Sequence, residues 1–358
     1  MAFYSLLSNI LSLRSSRRRP AARENRQIRH ATDCVAEDES ASLHLLGRRT
    51  DMTTEERRRA FPKVDAHHHI WDLDAHSYPW LQEGPPRQRV YGNSAPLRRN
   101  YRIEDYLADV APFRVEKSVY LQCGWNPADP VGETRYAQAV ADAQPEGFPH
   151  GIVAHSDLDA PGVEDELKRH CGSPNMRGIR MLLSHHDTPA YQWAPRGDYL
   201  TDPAWRRGYE ALARQGLSFD AQLYPHQMPE LARIAAEVPE VPLVIDHCGM
   251  PIERESGGLA RWRDGMAALA ALPHVHLKIS GLGMVDHHWT VESLRPIVNE
   301  AIGIFGPDRC MFASNFPVDG LKSSLATLFD AFLEILAPRP LPEQQALFHD
   351  NAVRFYRL

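Results

Sequence analysis

The chain has 358 residues, with 40 Lys and Arg against 46 Asp and Glu, so its net charge is -6. That balance is too mild, and of the wrong sign, for nucleic acid or an anionic membrane to be the main partner. With 43% apolar residues the chain can bury a sizeable core as one large domain or two smaller ones, and no apolar run approaches the roughly 18 residues of a membrane span. Five cysteines (Cys34, Cys123, Cys171, Cys248 and Cys310) are odd in number and form no C-x-x-C pair. This argues for a reducing compartment and against a disulfide frame or a zinc–thiolate site. The expectation is a cytoplasmic protein acting on a small neutral or anionic metabolite, with homo-oligomerisation left open.

The first sixty residues differ from the rest. They combine a short apolar start, the run Arg17-Arg18-Arg19, and Glu24 as the only acid before Asp33. A secretory signal carries its positive charge before the apolar stretch, and here the order is reversed. An organellar transit peptide remains an alternative to a disordered or misassigned basic leader over 1–60. Met52 opens a natural domain start, which assigns 61–358 to the catalytic domain.

From Phe61 onward, short apolar runs alternate with longer amphipathic ones. KVDAHHHI (63–70), KSVYLQC (117–123), GIVAHSDL (151–158), GIRMLL (178–183), LSFDAQLY (217–224), PLVIDHCG (242–249), VHLKISG (275–281) and CMFASNFPV (310–318) are β-branched or aromatic-rich and bounded by turn residues, so they predict strands. Between them, ETRYAQAVADAQ, GVEDELKRHC, PAWRRGYEALARQ, MPELARIAAEV, LARWRDGMAALAAL, VESLRPIVNEAIGIF and LKSSLATLFDAFLEIL repeat their apolar residues at the helix period, and PEQQALFHDNAVRFYRL adds a last helix. Eight strands alternating with helices over about 300 residues predict an α/β fold, a (β/α)8 TIM barrel. A doubly wound sheet is disfavoured because no Gly-rich phosphate loop follows the first strand.

In such a barrel, functional groups sit at the carboxyl ends of the strands. Polar residues gather there: His67-His68-His69, Gln122, His155, Arg180, Gln222 with Tyr224 and His226, His247, Lys278 with Ser280, and Ser314 with Asn315. Period-two geometry places His67 and His69 on one face and His68 on the other.

VDAHHHIWD, YPWL, GIR, LYPHQ, VIDHCGMP, LKISGLG and FGPDRCMFASNFPVDGL together resemble the amidohydrolase-2 group of the amidohydrolase superfamily, which includes sugar-acid lactonases and 2-pyrone-4,6-dicarboxylate lactonase. The resemblance spans Phe61 to Leu358. It implies that His67, His69 and His247 hold a divalent metal, zinc or manganese, or else the substrate carbonyl. It also implies hydrolysis of a carboxylated or sugar-derived lactone by water attack, with a metal-dependent decarboxylase as the alternative.

Many hydrolytic members carry Asp at the end of strand 8, where this chain has Asn315, an amide that accepts no proton at neutral pH. Three readings follow: another base serves, from among His247, His226 and His155; the reaction needs no metal; or the protein only binds its ligand. In the hydrolytic reading Asn315 is a hydrogen-bond donor, and Asp319, beyond Pro317, lies out of reach. Substrate contacts are expected from Gln122, His155, Arg180, Tyr224 and His226. Arg180 would clamp a carboxylate or pair with a neighbouring acid, and Lys278 leans toward structural pairing. His185 and His186 read as solvated loop residues. Trp71, Trp80 and Trp125, with Tyr224, either stack on a ring or pack together. Asp246, opposite in parity to His247, is expected to face the helices, and Cys248 to be a small buried residue.

Overall fold

The computed structural model describes residues 52–358. Residues 1–51, which hold most of the expected leader, lie outside the described residues. The last part of that leader is structured: Thr54–Arg59 is a helix (α1), capped by Thr53 in a capping box with Glu56. Arg58 of α1 pairs with Asp330 through two hydrogen bonds of 2.9 and 2.5 Å.

Eight parallel strands follow: β1 (Lys63–His68), β2 (Val115–Leu121), β3 (Gly151–Ala154), β4 (Met176–Leu182), β5 (Ser218–Gln222), β6 (Leu243–Ile245), β7 (Val275–Ile279) and β8 (Cys310–Phe312). They hydrogen-bond in sequence order as one sheet. Helices cover the outside, so β1, β3 and β5 to β8 are buried on nearly every residue, the polar ones included, as a parallel sheet covered on its outer face requires. The covering helices are α2 (Ile103–Val110), α3 (Pro130–Ala143), α4 (Val163–His170), α5 (Pro203–Gln215), α6 (Met228–Glu237), α7 (Ser256–Ala270), α8 (Val291–Phe305) and α9 (Leu325–Leu336). Local sequence sets their ends. Asp202 caps α5 ahead of Pro203, Gly216 ends it with a left-handed φ of +65°, and Ser324 caps α9.

The circle closes beyond the end of β8. Asn315 N donates to His67 O and His69 N to Phe316 O, both at 2.8 Å. Below this seam the side chain of Asp65 stands in for ladder carbonyls, accepting from Ser314 N (2.8 Å) and Ser314 Oγ (2.6 Å). The loop after β1 contains a small hairpin, Gln88–Arg89 against Gly92–Asn93. No helix among the described residues is long and apolar enough to cross a membrane.

Candidate active site

The carboxyl ends of the strands converge on a cavity of about 210 Å³. His69, Gln122, Arg180, Gln222, His247 and Asn315 line it, beneath walls that include Trp71, Trp80, Tyr91 and Trp193. The volume lies below the roughly 300–1,000 Å³ of drug-sized sites, so only a small molecule would fit it.

His67 and His69 point into the barrel with ring centroids 5.0 Å apart, and His247 lies 4.6 Å from His67. His68 faces outward and stacks on Tyr106 at 3.9 Å. The Nδ1–H of His69 donates to Leu121 O (2.8 Å), which leaves its Nε2 lone pair free. His247 Nδ1 lies 2.9 Å from Ser280 Oγ. Burial drives all three imidazoles down, His247 to about 3 and the others well below their ordinary value, helped by Lys278 at His67 and by Arg180 at His69. They are neutral at pH 7.

Asp246 departs from expectation. It does not face the helices but sits fully buried inside the barrel, its Oδ1 3.5 Å from His67 Nδ1 and 3.3 Å from Lys278 Nζ. Strand parity fails there because β6 stops at Ile245 and His247 and Cys248 turn left-handed, with φ of +55° and +52°. Burial pushes the Asp246 carboxyl up, but the charge of Lys278 and contact with His67 outweigh it and hold the group well below the usual range. Lys278 also meets Asp220 at 2.6 Å, and Tyr356 Oη donates to the same Asp220 oxygen at 2.6 Å. Asp65 and Asp220 were not singled out from the sequence. Their signal was a charge inside a strand run, as in KVDAHH and SFDAQ.

Asn315 also departs from expectation. Its Nδ2 donates one of its two protons to Asp319 Oδ2 (2.7 Å), which fixes the amide so that Asn315 also offers its oxygen as an acceptor. Asp319 does not line the cavity, but the chain after Pro317 turns into a 3₁₀ segment, Asp319–Leu321, and folds it back against Asn315. Its other oxygen accepts from Gly283 N (3.0 Å), and burial pushes its carboxyl up to about 7.

The remaining expected contacts lie elsewhere. Tyr224 donates its hydroxyl to Tyr191 O (2.6 Å) and lies near the exposed His226, both outside the cavity lining. His155 lines an adjoining cavity of about 330 Å³, 3.2 Å from Asp157. Trp125 lines that second cavity, while Trp71 and Trp80 line the first. Cys248 is buried, as expected.

His67, Asp246 and His247 form the one group of potential metal-ligating side chains among the described residues, with ligand atoms all within 4.8 Å. The residue types suit a dication, and both oxygens of Asp246 lack a hydrogen-bond partner. The charges do not suit it. Arg180 Nη1 stands 3.3 Å from His67 Nε2 and Lys278 Nζ 3.4 Å from His67 Nδ1, so donors that cannot ligate flank both ring nitrogens. Asp246 and Asp220 already answer these two cations.

Fold and site together define a (β/α)8 barrel with a histidine, arginine and lysine cluster at the carboxyl ends of its strands. Residues 64–358 match the amidohydrolase family Amidohydro_2, and the chain belongs to that family. It is 44% identical over 295 residues to the uncharacterized protein y4mH of Sinorhizobium fredii (strain NBRC 101917 / NGR234), covering 82% of this chain and 98% of that protein. It is 28% identical over 303 residues to L-fucono-1,5-lactonase of Burkholderia ambifaria, covering 83% and 96%. Among solved structures, an amidohydrolase from Burkholderia multivorans with bound zinc superposes with a TM-score of 0.69 at 26% identity, covering 83% of this chain and 99% of that one.

Proposed function

We propose that this amidohydrolase hydrolyses the ester ring of a small carboxylated or sugar-derived lactone. The observation that carries the reading is the convergence, in one small cavity, of a buried guanidinium, a neutral imidazole with a fixed lone pair, and an amide oxygen. The 28% identity to a lactonase supports the same reaction class.

In this reading Arg180 polarises the ring carbonyl and holds the oxyanion as water attacks. Its Nη2 is anchored to Gln122 O (2.5 Å), and its Nε has no partner among the described residues. The Nε2 of His69 takes the proton of the attacking water and passes it to the ring oxygen as the acyl C–O bond breaks. The carboxylic acid of the product then releases the proton that a pH-indicator assay reads. Burial and the charge of Arg180 weaken the imidazole as a base, and negative charge developing on the substrate beside Arg180 offsets the second of these. His247, tied to Ser280, contacts the substrate from the opposite wall, and Asn315 Oδ1 accepts a hydrogen bond from water or a ring hydroxyl. His67 lies beneath and braces Arg180. Because its nitrogens face cations, carbonyl polarisation is assigned to Arg180 rather than to a divalent ion.

A pH-indicator assay on sugar-acid, aliphatic and pyrone lactones tests this. Proton release on one ring class is expected, unchanged by chelator and reduced at least 100-fold in His69→Ala. Activity that dies with chelator and returns with zinc or manganese would move the role to a metal on His67, Asp246 and His247. Release of CO2 from an aromatic acid would replace the hydrolase with a decarboxylase.

A further inference from the structure

The cavity is lined by three guanidinium groups, those of Arg87, Arg89 and Arg180, and by no carboxylate. The charge of Arg180 is answered from below by Asp246, at 3.8 Å. Arg87 and Arg89 make no ion pair among the described residues. Both belong to the hairpin after β1, a segment without sequence periodicity.

That hairpin is firmly held. Arg87 N donates to Ser94 Oγ (2.9 Å), Ser94 N donates to Arg87 O (3.0 Å), and the ring of His287 donates from Nε2 to Val90 O (2.7 Å). Val90 and Tyr91, which follow the two arginines, are buried. Arg89 is fixed as well: Nη1 donates to Gln192 O (2.6 Å) and the guanidinium lies 5.0 Å over the ring of Trp193. Among the described residues, its Nε and Nη2 donate no hydrogen bond, and neither does the head of Arg87. Burial and the like charge of Arg87 make the Arg89 cation easier to neutralise than a solvated one. Two adjacent guanidiniums with free donors on a rigid, aromatic-backed rim match the flat, bidentate geometry of a carboxylate.

We propose that Arg87 and Arg89 form a carboxylate clamp at the rim of the cavity, so that the substrate is an acidic lactone whose carboxylate lies away from the ring carbonyl. The inference rests on the lactonase reading for its substrate, but the clamp itself is measurable without turnover.

Two experiments separate the two. In the first, glutarate and its neutral diamide are titrated against the tryptophan fluorescence of the full-length protein, since Trp71, Trp80 and Trp193 line the cavity. Glutarate is expected to bind and the diamide not to. Arg87→Ala with Arg89→Ala should weaken glutarate at least 10-fold, and the paired Lys variants, which keep charge but lose the planar fork, should fall between. Circular dichroism on each variant confirms folding, and Arg87→Ala alone, on an exposed side chain, serves if the double variant does not fold. In the second, kcat/KM is compared on 5-oxotetrahydrofuran-2-carboxylate and on uncharged γ-valerolactone. The acid is expected to be preferred at least 30-fold, and this ratio of the two kcat/KM values is expected to collapse in the double variant. Glutarate binding that ignores both arginines, or equal use of the two lactones, overturns the clamp. Arginine-dependent glutarate binding with no turnover of any lactone keeps the clamp and removes the lactonase reading.

Discussion

At the scale of single residues, the pair Asn315 and Asp319 decides what strand 8 offers the site. With Asp319 taking the amide donor, Asn315 presents an acceptor. In Asp319→Asn the new side chain still accepts from Gly283 N through its oxygen, but its NH2 then meets Asn315. The Asn315 amide must flip and turn a donor to the cavity. The expected outcome is a kcat lowered 10- to 100-fold with KM changed little and the melting temperature within a few degrees of wild type, read by steady-state kinetics and calorimetry. Unchanged kcat would show that the orientation of Asn315 is immaterial. This contact was not legible in the sequence, because Pro317 reads as a break, whereas the backbone after it returns Asp319 N to within 3.1 Å of Asn315 O.

At the scale of elements, the exits of β6 and β7 are interlocked. Gly281 follows β7 with a φ of +63°, and a Cβ there would stand 2.5 Å from His247 Nδ1. Gly281→Ala therefore adds backbone strain of about 1 kcal/mol and also pushes the imidazole off Ser280. We expect kcat/KM to fall about 100-fold, with a melting temperature lowered by only a few degrees; a variant with wild-type kinetics would mean that His247 has room to adjust. The eight strands were legible because each is a mostly buried run bounded by turn residues, and the inward pair His67 and His69 followed from alternation at the end of β1 that carries on one residue past it. Alternation misled at Asp246, where the strand had already ended. The rim hairpin escaped notice because its strands are two residues long and carry no period, though Gly92, with a φ of +99°, marks its turn.

For the whole molecule, buried ionisable groups set the response to pH. Burial lowers His68 and His247 to about 3, His276 to about 4, and His67 and His69 well below their ordinary value. Groups lowered in the fold contribute stability that is full above the unfolded value near 6.5 and is lost as pH falls toward the folded value. By pH 5 that is about 2 kcal/mol for each of the fully buried His68 and His247. Asp65 and Asp220, raised to about 6, and Asp319, raised to about 7, act oppositely: their contribution is full below about 4 and is lost as pH rises through 6 to 7. Five imidazoles outweigh three carboxylates, so calorimetry from pH 6.5 down to 5 should show a steady fall in melting temperature. A flat profile would mean that these histidines take up protons without unfolding.

The place where the barrel closes has a consequence for its motions. The two hydrogen bonds that join the last strand to the first run through the backbones of His67, His69, Asn315 and Phe316, and the side chains of His69 and Asn315 line the cavity. The hoop is therefore fastened by the same residues that grip the ligand. Whatever holds those side chains still also tightens the fastening. Amide deuterium uptake at His69 and Asn315 should slow when the cavity is filled, while uptake on the outer helices α5 and α8, which do not line it, stays as it was. Occupancy of the site and integrity of the ring would then be read from the same two protons.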